Sequence, residues 1–165
     1  MLSALIWIPM LGAIVVGLLP SAIADVYVRR TAILAVSAGL TVSLFVAAQF
    51  DVINIGLQFQ EDSPWLESLG LTYQLGLDGL SLPLIVLNSF LTLIALFSTS
   101  PKVQRPRLYY ALVLVINAAV AGAFLAHNLL LFFLFYELEL IPLYLLIGIW
   151  GGVRRGYAST KFLIY

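Results

Sequence analysis

Five long apolar runs divide the chain, separated by short polar connections and one longer polar segment. They are Leu2–Pro20, Thr31–Phe50, Leu80–Ser98, Leu108–Ala126 and Leu129–Trp150. A helix that crosses a bilayer needs about 20 mostly apolar residues. Each run is near that length, so the pattern predicts five complete transmembrane helices. A sixth apolar segment starts near Ala158 and breaks off at Tyr165. The expectation is an all-α polytopic membrane protein, with residues 1–165 an incomplete, N-terminal piece of a single membrane domain. Leu2–Pro20 has an alternative reading as a signal peptide, since Ala22-Ile23-Ala24 resembles a cleavage site. No basic region precedes that run, and it is longer than a signal core, which favours a retained helix.

The segment between the second and third runs follows a different period. Ile53, Ile55, Leu57 and Phe59 alternate with polar residues or glycine, and so do Leu71, Tyr73, Leu75 and Leu77. Period two predicts strands. Glu61-Asp62-Ser63-Pro64 is turn-rich, so the two strands are expected to pair there as a long hairpin. Its acids, Glu61, Asp62 and Glu67, are either a cation-attracting group or, the blander reading, a solvated lid. Asp78 or Ser81 is placed to accept hydrogen bonds from the free amides at the start of the third helix. Pro83 suits that helix's first turn.

Composition agrees with a membrane protein: 62% of the 165 residues are apolar and 10% are charged. A soluble domain of this size cannot hide that much apolar surface. There is no cysteine, which excludes disulfides, thiolate metal sites, iron–sulfur clusters and thiol catalysis within this chain. Any redox chemistry belongs to another polypeptide. The zero net charge gives no reason to expect nucleic acid.

The eight basic residues have one arrangement. Arg29 and Arg30 lie between the first two runs, Lys102, Arg105 and Arg107 between the third and fourth, and Arg154, Arg155 and Lys161 after the fifth. The alternate connections hold no Lys or Arg. The positive-inside rule then places the N-terminus outside, on a lumenal or periplasmic face.

Against that background two acids stand out. Glu137 and Glu139 are the only charges between Leu129 and Trp150. An acidic residue at the centre of a spanning helix costs roughly 2.5–3.5 kcal/mol, and such residues are by default functional. Glu137 lies about 12 Å along the helix from Leu129. Residues two apart point about 200° apart, so the two acids cannot form a dyad. Pro142 removes the helical partner of the Leu138 carbonyl, which invites water or a polar side chain beside Glu137. Glu137 is therefore the main candidate for a proton relay, with Glu139 secondary. A buried ion pair with another helix is the structural alternative. Asn88 and Asn117 are candidates for interhelical hydrogen bonds. Asn128 is a candidate cap for the fifth helix, and His127 a turn residue able to take up protons.

Two stretches carry a family resemblance. FFLFYELELIPLYLLIGIWGG, followed by ASTKFLIY, resembles the fifth and sixth helix region of the antiporter-like subunit of complex I known as chain M or subunit 4. LGLDGLSLPLIVL resembles the opening of that family's third helix. The ELELIP form is similar to the version of this subunit found in the cyanobacterial and chloroplast NAD(P)H–quinone oxidoreductase. The likeness runs from about Leu71 to the end and is specific in the long motif. It implies a fourteen-helix protein with two inverted five-helix repeats, of which this chain carries the beginning. It implies a proton-pumping subunit of a quinone-reducing complex, with the other membrane and hydrophilic subunits as partners. Quinone, plastoquinone in a thylakoid, and NAD(P)H or ferredoxin would be used by the complex, with no cofactor or metal in this chain.

The same resemblance assigns the family's key glutamate to Glu137. Glu139 stands where bacterial relatives usually have an apolar residue, and Asn128 where the family usually has an acid. The family's buried lysine belongs to a seventh helix beyond Tyr165, and Lys161 is not its equivalent. The resemblance implies a thylakoid or plasma membrane. Two other readings are a subunit of a related cation/proton antiporter and a non-transporting structural membrane fragment.

Overall fold

A computed structural model describes residues 1–54 and 56–165, with Glu67 described by its backbone alone. Six helices and one two-stranded hairpin make up the described chain. They are α1 (Leu2–Leu18), α2 (Asp25–Gln49), β1 (Gln58–Leu66), β2 (Leu71–Leu77), α3 (Ser81–Ser98), α4 (Pro106–Leu125), α5 (Leu129–Trp150) and α6 (Arg155–Ile164). Helices α2, α3, α4 and α5 are long and apolar enough to cross a membrane, and α1 is an apolar helix of 17 residues.

Helix α4 is the hub of the bundle, packing against α1, α2, α3 and α5, while α6 packs on α5. Small residues allow this: Ala118, Ala119, Ala121 and Gly122 are all buried on α4. Inside a bilayer helices gain little from burying apolar surface, and close backbone approach is what holds them together. A Cβ added at Gly12 would lie 2.6 Å from the Ala35 Cβ, so glycine sets the separation of α1 and α2. One buried cluster lies under the hairpin and includes Leu2, Ile6, Leu75, Leu77 and Leu125. A second, nearer the opposite end, includes Val16, Val28, Ala32, Leu96, Tyr110 and Leu114.

The ends of the bundle differ in chemistry. Arg107 donates to the carbonyls of Pro20, Ser21 and Ile23 (2.7 Å for the last), and Arg29 donates to the Phe97 carbonyl at 2.8 Å. Trp150 Nε1 donates to the Gln104 carbonyl at 2.8 Å. These contacts gather the α1–α2 and α3–α4 connections and the end of α5 at one basic end. The hairpin, the start of α1 and the α4–α5 turn share the other end. His127 donates its backbone N–H to the Gln74 carbonyl at 2.9 Å, and Tyr73 Oη lies 3.0 Å from Ser3 Oγ.

Three predicted boundaries move. Helix α2 begins at Asp25 rather than Thr31, so Arg29 and Arg30 sit on the helix and not in a connection. Asp25 in the first turn complements the helix dipole. Helix α6 begins at Arg155 rather than Ala158, and Arg155 reaches back to the Ile149 carbonyl at 2.7 Å, near the electronegative end of α5. The hairpin also turns later than expected. Glu61 to Pro64 lie within β1, paired with Leu75 to Thr72, and the chain reverses through a 3-10 turn at Glu67–Leu69 and Gly70. Gly70 has φ +69, a left-handed conformation that glycine adopts freely. Pro64 lies on an edge strand of a two-stranded sheet, where proline is tolerated. The first strand thus occupies Gln58–Leu66 instead of Ile53–Phe59, and Ile55 lies outside the described residues.

Candidate proton-relay site on the fifth helix

Helix α5 keeps the predicted bounds, Leu129–Trp150. Asn128 caps it: its side-chain oxygen accepts from the amides of Leu130 at 3.0 Å and Leu131 at 3.1 Å. The same side chain donates to the Gly70 carbonyl at 3.0 Å and to Thr72 Oγ1 at 3.1 Å. One asparagine therefore starts the helix and fastens it to the hairpin. An acid here would accept for the cap but could not donate to the hairpin carbonyl while ionised.

Only Leu131 and Pro142 are buried on α5. Glu137 is exposed on a face that the described helices leave open, whereas Glu139 is half-buried. The two acids diverge as the helical rotation requires. Neither takes part in a hydrogen bond or ion pair among the described residues. Lys161 lies over the rings of Tyr157 and Tyr165, at 5.7 Å and 5.9 Å, and forms no ion pair with the glutamates. Pro142 is buried within the helix one turn beyond them, where the Leu138 carbonyl has no amide to receive.

A second polar feature lies nearby in depth. Asn88 Nδ2 donates to the Asn117 carbonyl at 3.1 Å, Asn117 Nδ2 donates to Thr92 Oγ1 at 2.9 Å, and Thr92 Oγ1 donates to the Asn88 carbonyl at 2.8 Å. This closed loop joins α3 to α4, the interhelical role expected of the two asparagines. Thr92 was not singled out from the sequence, although its position four residues after Asn88 is the signal for such a bond. A Cβ on Gly122 would meet the Phe135 ring at 2.5 Å, which sets the register of the antiparallel pair α4 and α5. Asn117 lies about 7.5 Å along α4 from Gly122, and Glu139 about 6 Å along α5 from Phe135. The asparagine network and Glu139 thus share one level of the bundle.

The hairpin acids are not a converging group. Glu61 receives hydrogen bonds from the Met1 ammonium and from Ser3. Partial burial works to raise its pKa, but these bonds outweigh that and hold it below the ordinary glutamate value. Asp62 is exposed, and the side chain of Glu67 lies outside the described residues. Asp78 accepts from the Ser81 amide at 2.6 Å, from Ser81 Oγ at 2.7 Å and from the Leu80 amide at 3.1 Å. Those bonds hold its carboxyl below the usual aspartate range. Of the two predicted caps for α3, Asp78 accepts and Ser81 donates. His127 is a turn residue, with Nδ1 3.0 Å from the Leu125 carbonyl.

Residues 126–165, which include both glutamates, match the family described as NADH:quinone oxidoreductase/Mrp antiporter, TM. The chain is 42% identical over 167 residues to NAD(P)H-quinone oxidoreductase chain 4 of Prochlorococcus marinus, covering 99% of this chain and 31% of that one. It is 43% identical over 165 residues to NAD(P)H-quinone oxidoreductase chain 4 3 of Picosynechococcus sp., covering 99% of this chain and 30% of that one. The chain thus spans about a third of the length of the curated relatives it matches. Its fold is similar to a chain in respiratory complex I from Thermus thermophilus with bound NADH, at TM-score 0.83 and 23% identity, over 100% of this chain and 32% of that one.

Proposed function

We propose that this chain forms part of a proton-translocating membrane subunit, of the chain 4 type, in an NAD(P)H- or ferredoxin-quinone oxidoreductase. The observation that carries the reading is Glu137, which with Glu139 is the only charge on helix α5, inside the segment that matches the family. Glu137 is the relay acid and Glu139 a secondary one. A cation brought near Glu137 favours release of its proton, and withdrawal of the cation favours uptake. The cation would come from outside the described helices, since Glu137 faces away from them. Water beside the unpaired Leu138 carbonyl would pass the proton on.

With no cysteine here to hold an iron–sulfur cluster, other hydrophilic and membrane subunits would supply the redox chemistry, with a quinone and NAD(P)H or ferredoxin as their substrates. The cyanobacterial relatives favour a thylakoid or plasma membrane. The positive-inside rule supports a lumenal or periplasmic N-terminus.

The test is Glu137→Gln in the assembled complex, with protons moved per quinone reduced as the readout and native gels as the check on assembly. Assembly is expected to survive and pumping to fall at least tenfold. Normal pumping would remove the relay assignment, and failed assembly would favour a structural ion pair. A second reading rests on the matched family, whose description includes Mrp antiporters. Sodium–proton exchange in vesicles without quinone substrates would favour it.

A further inference from the structure

A second site lies at the basic end of the bundle, remote from α5. A cavity of about 280 Å³ opens between the first turns of α2 and the connection from α3 to α4. Val26 and Ile33 form one wall and Phe97 and Val103 the other, with Arg29 and Arg30 at the same cavity. Arg29 lines the cavity, is half-buried and donates Nη2 to the Phe97 carbonyl at 2.8 Å, and its other guanidinium donors have no partner among the described residues. Arg30 is exposed, its guanidinium 6.0 Å from the Tyr27 ring.

Asp25 also lines the cavity, but its Oδ1 lies 3.8 Å from Arg107 Nη1, so its charge is offset by a third arginine. The cavity keeps a net positive charge over an apolar wall. It sits where the apolar helices α2 and α4 begin and α3 ends, the level at which hydropathy puts the membrane surface. An inorganic anion would use the arginines and leave the apolar walls unsatisfied. A headgroup with its glycerol and upper acyl carbons matches both, and basic pockets between spanning helices bind such headgroups.

We propose that Arg29 and Arg30 bind the phosphate of one anionic lipid, with its glycerol end seated against Val26 and Phe97. The site ties α2 to the α3–α4 connection through a molecule from the bilayer. The protein, in the longest form its gene encodes, is stripped of lipid in neutral detergent. It is then titrated with phosphatidylglycerol or phosphatidylcholine, and retention is read by native mass spectrometry. One phosphatidylglycerol is expected to bind in preference to phosphatidylcholine. Arg29→Gln with Arg30→Gln is expected to weaken phosphatidylglycerol by about tenfold or more. Arg154→Gln, which removes a charge at the same end but outside the cavity, is expected to leave it unchanged.

Val26→Trp keeps both arginines and fills the cavity from an exposed position, so it is expected to lower retention even if the double variant does not fold. Equal weakening by Arg154→Gln would mean diffuse surface charge and would overturn the proposal. So would unchanged retention in the Val26→Trp variant. Displacement of the lipid by millimolar inorganic phosphate would mark a site for the free anion and overturn the lipid assignment.

Discussion

Two acids two positions apart meet different surroundings. Glu139 turns toward the packed side of α5 and shares a level with the Asn88, Thr92 and Asn117 network, while Glu137 faces outward. Glu139→Gln is expected to lower pumping much less than Glu137→Gln, because Glu137 is the more exposed of the two and, in the proposed mechanism, the acid a cation approaches. Proton uptake per turnover in the two variants, at equal assembly, separates them. An equal loss would mean both acids carry the proton.

Asp78 gives a residue-scale test outside the membrane. Its carboxylate caps α3 through the Leu80 and Ser81 amides, and a lost cap costs about 1 kcal/mol. Because its folded pKa is depressed, the stabilisation is complete above the ordinary aspartate pKa and is lost as pH falls through the folded value. Asp78→Ala is therefore expected to lower thermal stability at neutral pH, with a deficit that shrinks on acidification below about pH 4. A deficit constant from pH 7 to pH 3 would contradict the cap's charged state.

Among the elements, α4 and α5 meet through a close contact on the helix that carries the two glutamates. Gly122 admits the Phe135 ring, and a Cβ there would lie 2.5 Å from it. Gly122→Ala is expected to destabilise the helix pair by about 1–3 kcal/mol through overpacking. Adding Phe135→Leu should recover much of that loss, since the smaller side chain vacates the space. Thermal unfolding of the single and double variants in detergent measures the coupling. If the two effects simply add, the contact does not set the spacing. The hairpin is fixed from the same neighbourhood, with Asn128 holding Gly70 and Thr72. Its later turn has a physical cause: positive φ is easiest at Gly70, whereas Glu61 is already engaged by the start of α1.

For the whole molecule, the separation of a basic end from a hairpin end predicts sidedness. Ser63 is exposed on the hairpin, and Gln104 is exposed at the basic end. Only the Gln104 backbone carbonyl is used, by Trp150, so a side-chain change there leaves that contact in place. Cysteine at Ser63 is expected to react with an impermeant reagent from the lumenal or periplasmic side, and cysteine at Gln104 only from the opposite side. The reverse labelling would invert the orientation.

Hydropathy by itself determined the number and order of the apolar helices, because a bilayer admits only long apolar segments with satisfied backbones. It placed α5 to the residue and identified Glu137 and Glu139, since a charge in such a run needs no tertiary information to be conspicuous. The start of α2 at Asp25 and of α6 at Arg155 was not legible, because hydropathy marks the hydrocarbon layer while a helix continues into the polar interface. Only the tertiary structure decided that Glu137 is exposed and Glu139 half-buried. The 200° rotation separates them, but which side is covered depends on how α5 lies against α4 and α6. It alone brought Arg29, Arg30 and Phe97 around one cavity, since these residues are far apart in the chain and meet only through helix packing.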